Sequence, residues 1–148
     1  MFRRIVLSIL AGSAVLLFAI QFVPYRVRNP AVLQEPDWDS PQTRVLAERA
    51  CFDCHSNQTR TPWYGNIAPV AWIVRSHVDE GREYLNLSEM QRPQPEAHES
   101  AEVLLEGEMP PAYYTFLHPE ARLTDAEKRQ LADGLDATLG GHAGEEDD

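Results

Sequence analysis

The two cysteines of this chain stand three positions apart, and a histidine follows at once: Cys51-Phe52-Asp53-Cys54-His55. Few short patterns restrict a fold so far. A bare C-x-x-C suits a thioredoxin-type dithiol, but that motif normally sits in a βαβ unit, and no such pattern surrounds this one. A structural zinc centre takes four ligands, usually from two cysteine pairs, and no second pair exists here. A disulfide in an oxidising compartment would satisfy both thiols and leave His55 without a task. With the histidine included, the pattern is that of covalent haem attachment. Two thiols at this spacing each add to a vinyl group on one porphyrin edge, and the adjacent imidazole comes beneath the ring to offer a nitrogen to iron. The expectation is one haem c, joined through Cys51 and Cys54, with His55 as an iron ligand. The rest of the chain must then build walls around a large, flat, apolar group.

Helical signals dominate that remainder. Ser40-Pro41 supplies an N-cap and a first-turn proline for a helix that reaches Ala50 and delivers Cys51 at its end. Pro69 opens a second helix, in which Val70, Ile73, Val74, His77, Val78 and Gly81 share one face. Ala97, Ala101, Leu104 and Leu105 predict a third over 97–106, ended by Gly107. Thr124-Asp125-Ala126-Glu127 has the spacing of a capping box, followed by Leu131, Leu135 and Leu139 and stopped by Gly140-Gly141. Residues 57–68, 91–95 and 108–111 read as loops, the last because Pro110 and Pro111 cannot continue a helix. No hairpin signal and no repeat occurs. The expected class is all-α, with more loop than so small a core normally tolerates, an excess that a large buried cofactor explains.

At the N-terminus, residues 5–23 (IVLSILAGSAVLLFAIQFV) carry no charge, and as a helix they span about 28 Å against a hydrocarbon core of about 30 Å. A retained transmembrane anchor is expected. A cleaved signal peptide is the alternative, but Gly12, Ser13 and Ala14 come too early for a cleavage site and Ala19-Ile20-Gln21 fits one poorly. Arg3 and Arg4 before the span are balanced by Arg26 and Arg28 after it, so charge does not orient it. The motif does, because covalent haem attachment takes place outside the bacterial cytoplasm. The expected organisation is a cytoplasmic start and anchor over 1–27, one haem-binding domain over 28–141 in the periplasm, and an acidic tail over 142–148. The chain would cross the inner membrane once. Beyond residue 30, nine basic residues face 23 acidic ones, a balance of −14. Such a surface repels nucleic acid and favours a redox partner protein with a cationic docking patch.

Three segments together carry a family resemblance: Cys51-Phe52-Asp53-Cys54-His55-Ser56-Asn57, then Pro62-Trp63-Tyr64-Gly65-Asn66-Ile67-Ala68-Pro69, then Gly107-Glu108-Met109-Pro110-Pro111-Ala112-Tyr113-Tyr114. The chain resembles the small bacterial haem-binding domain family over about residues 28–136, and the resemblance implies haem binding more firmly than a physiological role. The order of C-x-x-C-H, helices, Met-Pro loop and final helix is also similar to class I cytochromes c. That likeness implies a cytochrome c-like small helical domain around one covalent haem.

His55 alone leaves the other face of the iron open, and the available donors are Met109, His77, His98, His118, His142 and Met90. Met109 leads, because Gly107 and the two prolines would stiffen the loop that presents it; a packed core Met is the alternative. His77 is second, on the apolar helix face, where a hydrogen-bonded core histidine is the commoner outcome. His98 and His142 read as exposed, and His118 as a loop residue without a role. Trp63 and Tyr64 are expected against the cofactor, and Trp72, Tyr113 and Tyr114 also suit a porphyrin rim, with ordinary core packing as the alternative. Arg60 and Arg75 are candidate propionate partners. The functional expectation is a one-electron carrier, more an electron-transfer or haem-binding protein than an enzyme. A haem sensor or small-ligand binder, or an accessory module of a haem peroxidase or oxidase, remains open.

Overall fold

A computed structural model of the protein describes residues 1–140. Helix α1 (Phe2–Ile20) buries no residue, and its mean hydropathy of 1.9 over a membrane-length window makes it apolar enough to span a bilayer. The remaining elements are α2 (Pro41–Ala50), α3 (Phe52–His55), α4 (Val70–Tyr84), α5 (Ser100–Glu106), α6 (Ala112–Leu117) and α7 (Asp125–Leu139), with short 3-10 turns at Trp63–Asn66, Ala97–Glu99 and Pro119–Ala121. Among the described residues there is no strand, only an isolated bridge between Gln34 and Glu89. The protein is all-helical.

Local chemistry sets the boundaries. The Ser40 hydroxyl accepts from the Thr43 N–H, and Pro41 fills the first turn of α2. Thr124 and Glu127 close a capping box at α7. Gly107 ends α5 at φ +85°, a left-handed conformation that glycine adopts without a Cβ clash, and the Glu108 N–H turns back onto the Val103 carbonyl. The four helices expected from spacing are all present. The short α6 had no forewarning, since six residues are too few for a 3.6-residue period to show.

Leu46, Phe52, Leu87, Leu131 and Leu139, each no more than 2% exposed, form the centre of a core to which α2, α5 and α7 contribute. Helices α2 and α7 touch at Gly134, where a Cβ would lie 2.1 Å from Thr43 Oγ1. Helix α3 lies on α4 in the same way. A Cβ on Gly81 would come within 2.8 Å of the Cys54 carbonyl oxygen. The connector between α1 and α2 is extended and tied down along its length: Leu33 and Gln34 donate to the Ser88 carbonyl, and Asn29 Nδ2 to that of Thr59. The acidic tail and His142 fall outside the described residues.

Candidate functional site

Between α3, α4, α5 and α6 lies an apolar cavity of about 600 Å³. Cys51, Cys54 and His55 form one side of it. All six residues expected on one face of α4 line it: Val70, Ile73, Val74, His77, Val78 and Gly81. Gly81, at the far end of that face, carries α3, while the part before it meets the cavity, which is why Ile73 and His77 remain exposed. Opposite stand Val103 and Leu104 of α5, the Met109-Pro110-Pro111 loop, and Tyr113, Tyr114 and Leu117 of α6.

The chain fixes the orientation and tautomer of His55. Its Nδ1 lies 3.2 Å from the Leu85 carbonyl. A carbonyl can only accept, so Nδ1 carries the proton and Nε2 keeps its lone pair. Burial lowers the imidazole pKa, opposed in part by the Leu85 and Gly81 carbonyls, so the ring is neutral. A neutral imidazole anchored through its other nitrogen is the usual form of a metal-bound histidine. The Leu85 carbonyl is itself held. Leu87 N–H donates to the His55 carbonyl at 2.8 Å, Asn86 Nδ2 to Asn57 Oδ1 at 3.0 Å, and Gln94 Oε1 accepts from the Asn86 N–H at 3.0 Å. Asn57, Asn86, Ser88 and Gln94 are all buried. This network was invisible in the sequence except as the polar Ser56-Asn57 pair after the motif, because its partners lie about 30 residues away.

Burial, reinforced by the neighbouring Cys54, pushes the Cys51 thiol up to about 12. Burial and the Asp53 carboxylate, opposed by Arg82, push Cys54 up to about 11. Both stay protonated at neutral pH. Asp53 is tied down from three sides: the Arg60 N–H donates to it at 2.9 Å, the Arg60 guanidinium pairs at 3.4 Å, and the Tyr114 hydroxyl donates at 2.7 Å. Burial and this bond to a carboxylate raise the Tyr114 pKa, leaving the phenol a donor.

The donor set fits a haem. A volume of this size lies within the range of cofactor pockets, about 300–1,000 Å³. Two thiols and a neutral imidazole share one wall, and two further donors, Met109 and His77, line the same cavity. Among the described residues no cluster of three or more His, Cys, Asp or Glu forms a cage for a bare ion. These donors suit an iron that arrives already held by a ring.

Other residues fall out differently. Tyr64, Tyr113, Tyr114 and Arg60 line the cavity. Trp63 does not: it is 77% exposed, with its indole edge-on to Tyr64. The 3-10 turn at 63–66 separates the two neighbouring rings, sending one inward and one out. Trp72 is outside the cavity lining as well. Arg75 turns away, paired with Asp79 and donating to the Arg26 carbonyl. Met90 packs against the core, and His98 is exposed beside Glu99. His118, to which the sequence assigned no role, stands in the wall. Its ring stacks on Tyr114 at 4.3 Å, Nε2 meets the Tyr64 hydroxyl at 3.0 Å and Nδ1 meets Glu120 at 3.2 Å. Both its nitrogens are engaged, so His118 braces the cavity and is not a free donor.

No curated protein and no solved structure matches the chain. The cofactor that the cavity suits has a counterpart in the sequence taken as a whole, for residues 15–137 match the haem-binding domain family, and the chain belongs to it.

Proposed function

We propose that this haem-binding protein is a single-haem c-type electron carrier, held at the periplasmic face of a bacterial inner membrane by α1. The observation that carries the reading is His55, neutral and fixed by the Leu85 carbonyl, on the same cavity wall as the thiols of Cys51 and Cys54. When bound, haem supplies a one-electron iron couple. Cys51 and Cys54 would hold it by thioether bonds, and His55 Nε2 would offer a nitrogen to its iron. Met109, on its proline-stiffened loop, would offer a thioether sulfur. Val74, Val78, Val103 and Leu104 exclude water from the site, and burial is one of the levers by which a protein sets a haem potential. The Asp53–Tyr114–Arg60 set fixes the turn between the two cysteines. The acidic balance of −14 beyond residue 30 suits a partner with a cationic docking patch.

A second reading rests on Met109, which is 40% exposed in the cavity wall. If it does not coordinate, the open iron face makes the protein a small-ligand binder or sensor. Two measurements test the pair. Haem that stays with the polypeptide through denaturation and acid extraction supports thioether attachment, and complete release into organic solvent refutes it. A reduced spectrum unchanged by carbon monoxide supports the carrier, and ready carbon monoxide binding supports the sensor.

A further inference from the structure

We propose that the haem domain lies against the bilayer through one surface, made by the N-terminal end of α4 and the 63–67 turn beside it. The proposal rests on the reading of α1 as a retained membrane anchor. Gln21 is the first residue after α1, and its side-chain amide clasps the backbone of Ala68: Nε2 donates to the Ala68 carbonyl at 3.0 Å, and Oε1 accepts from the Ala68 N–H at 3.0 Å. The chain beyond Gln21 then runs beside α4 in the same direction. Arg75 donates to the Arg26 carbonyl at 2.9 Å, and Arg82 to that of Arg28 at 2.8 Å. Helix α4 therefore begins where the membrane helix ends and climbs away from it. At 1.5 Å per residue, Glu83 stands about 20 Å along α4 from Val70.

Charge follows the same axis. Residues 61–74 contain none, and Asp79, Glu80 and Glu83 come only towards the far end of α4. Trp63 and Ile67, neither of which lines the cavity, are 77 and 46% exposed, and Phe22 and Val23 beside the clasp are 73 and 44% exposed. The turn is fixed to this end of the helix: the Ala71 N–H donates to the Ile67 carbonyl, and Gly65 packs towards Val74. Tryptophan favours the headgroup level, where its ring is half in hydrocarbon. Arg26, exposed and reaching back to the Gln21 carbonyl at 3.3 Å, meets anionic headgroups, which repel the acidic remainder of the domain. The occupant that fits is the phospholipid interface. Trp63, turned away from the cavity, has a task there.

The test uses the full chain in vesicles of phosphatidylethanolamine and phosphatidylglycerol, with the photo-crosslinker benzoylphenylalanine placed in turn at Leu10, Trp63, Ile67 and Glu83. Lipid adducts, read by mass, are expected at 10, 63 and 67 and not at 83. Using both 63 and 67 guards against one variant that fails to fold. Adducts at 10 alone overturn the docking surface and leave the anchor standing. Equal adducts at 83 overturn a fixed orientation, and cross-links from 63 or 67 to a second copy of the chain overturn the lipid occupant. No adduct at 10 overturns the anchor and the proposal with it.

Discussion

The contact between α3 and α4 offers a sharp test of how the site is held. Gly81→Ala puts a methyl group 2.8 Å from the Cys54 carbonyl oxygen, 3.1 Å from its Cβ and 3.2 Å from its carbonyl carbon. Two of those atoms are backbone, so relief requires moving the motif off α4. Overpacking of this kind costs about 1–3 kcal/mol, and a rigid backbone neighbour argues for the upper end. Alanine's better helix propensity returns about 1 kcal/mol. The net loss is about 2 kcal/mol, which at about 4 °C per kcal/mol for a domain of this size lowers Tm by roughly 8 °C. Displacing Cys54 also pulls His55 from the Leu85 carbonyl, so haem loading should fall with stability. Denaturant melts of the detergent-solubilised chain, followed by circular dichroism with the haem absorbance recorded in parallel, measure both. Gly140→Ala is the control, since among the described residues the nearest atom to its Cβ position is 4.0 Å away and its φ of −62° suits any residue; it should gain a few tenths to about 1 kcal/mol. A Gly81→Ala melt at or above wild type would refute the close-approach argument.

Replacing Cys51 and Cys54 together by serine should remove haem that survives a denaturing gel, and persistent haem staining would contradict thioether attachment. Met109→Ala should abolish the weak long-wavelength sulfur-to-iron band of the oxidised protein and open the iron to carbon monoxide, while His77→Ala leaves both unchanged; the opposite pattern would make His77 the ligand. Thr124→Ala removes the α7 cap and should cost about 1 kcal/mol in a denaturant melt. The Arg49 guanidinium, aided by Thr124, holds the Glu127 carboxyl down at about 2 against its ordinary 4.5. That stabilisation is complete above 4.5 and is lost as pH falls towards 2, so Glu127→Gln should be less stable at neutral pH and lose less across that interval. Phe52→Ala, which empties a buried site beside Trp38, should cost about 3–5 kcal/mol, and a loss below 1 kcal/mol would show that the core collapses to fill it.

The features legible in the sequence are local: the Cys51-Phe52-Asp53-Cys54-His55 motif, the caps at Ser40 and Thr124, the stop at Gly107, the apolar face of α4 and the uncharged run over 5–23. Each is written within one or two helical turns, where periodicity, capping chemistry and proline's missing donor act on near neighbours. What that face meets follows from the packing of the whole chain: a cavity along most of its length, and α3 at Gly81. The same holds for the carbonyl that fixes His55, supplied by Leu85 from 30 residues away. That packing also turned Trp63 outward and Tyr64 inward, drew Arg75 to Asp79, and gave His118 a place between Tyr64, Tyr114 and Glu120. These outcomes depend on which backbone segments approach each other, and Gly81 shows the reason they are not legible locally: a missing Cβ reads in sequence as a weak helix residue, and becomes the contact that brings Cys54 onto α4 only once both helices are in place.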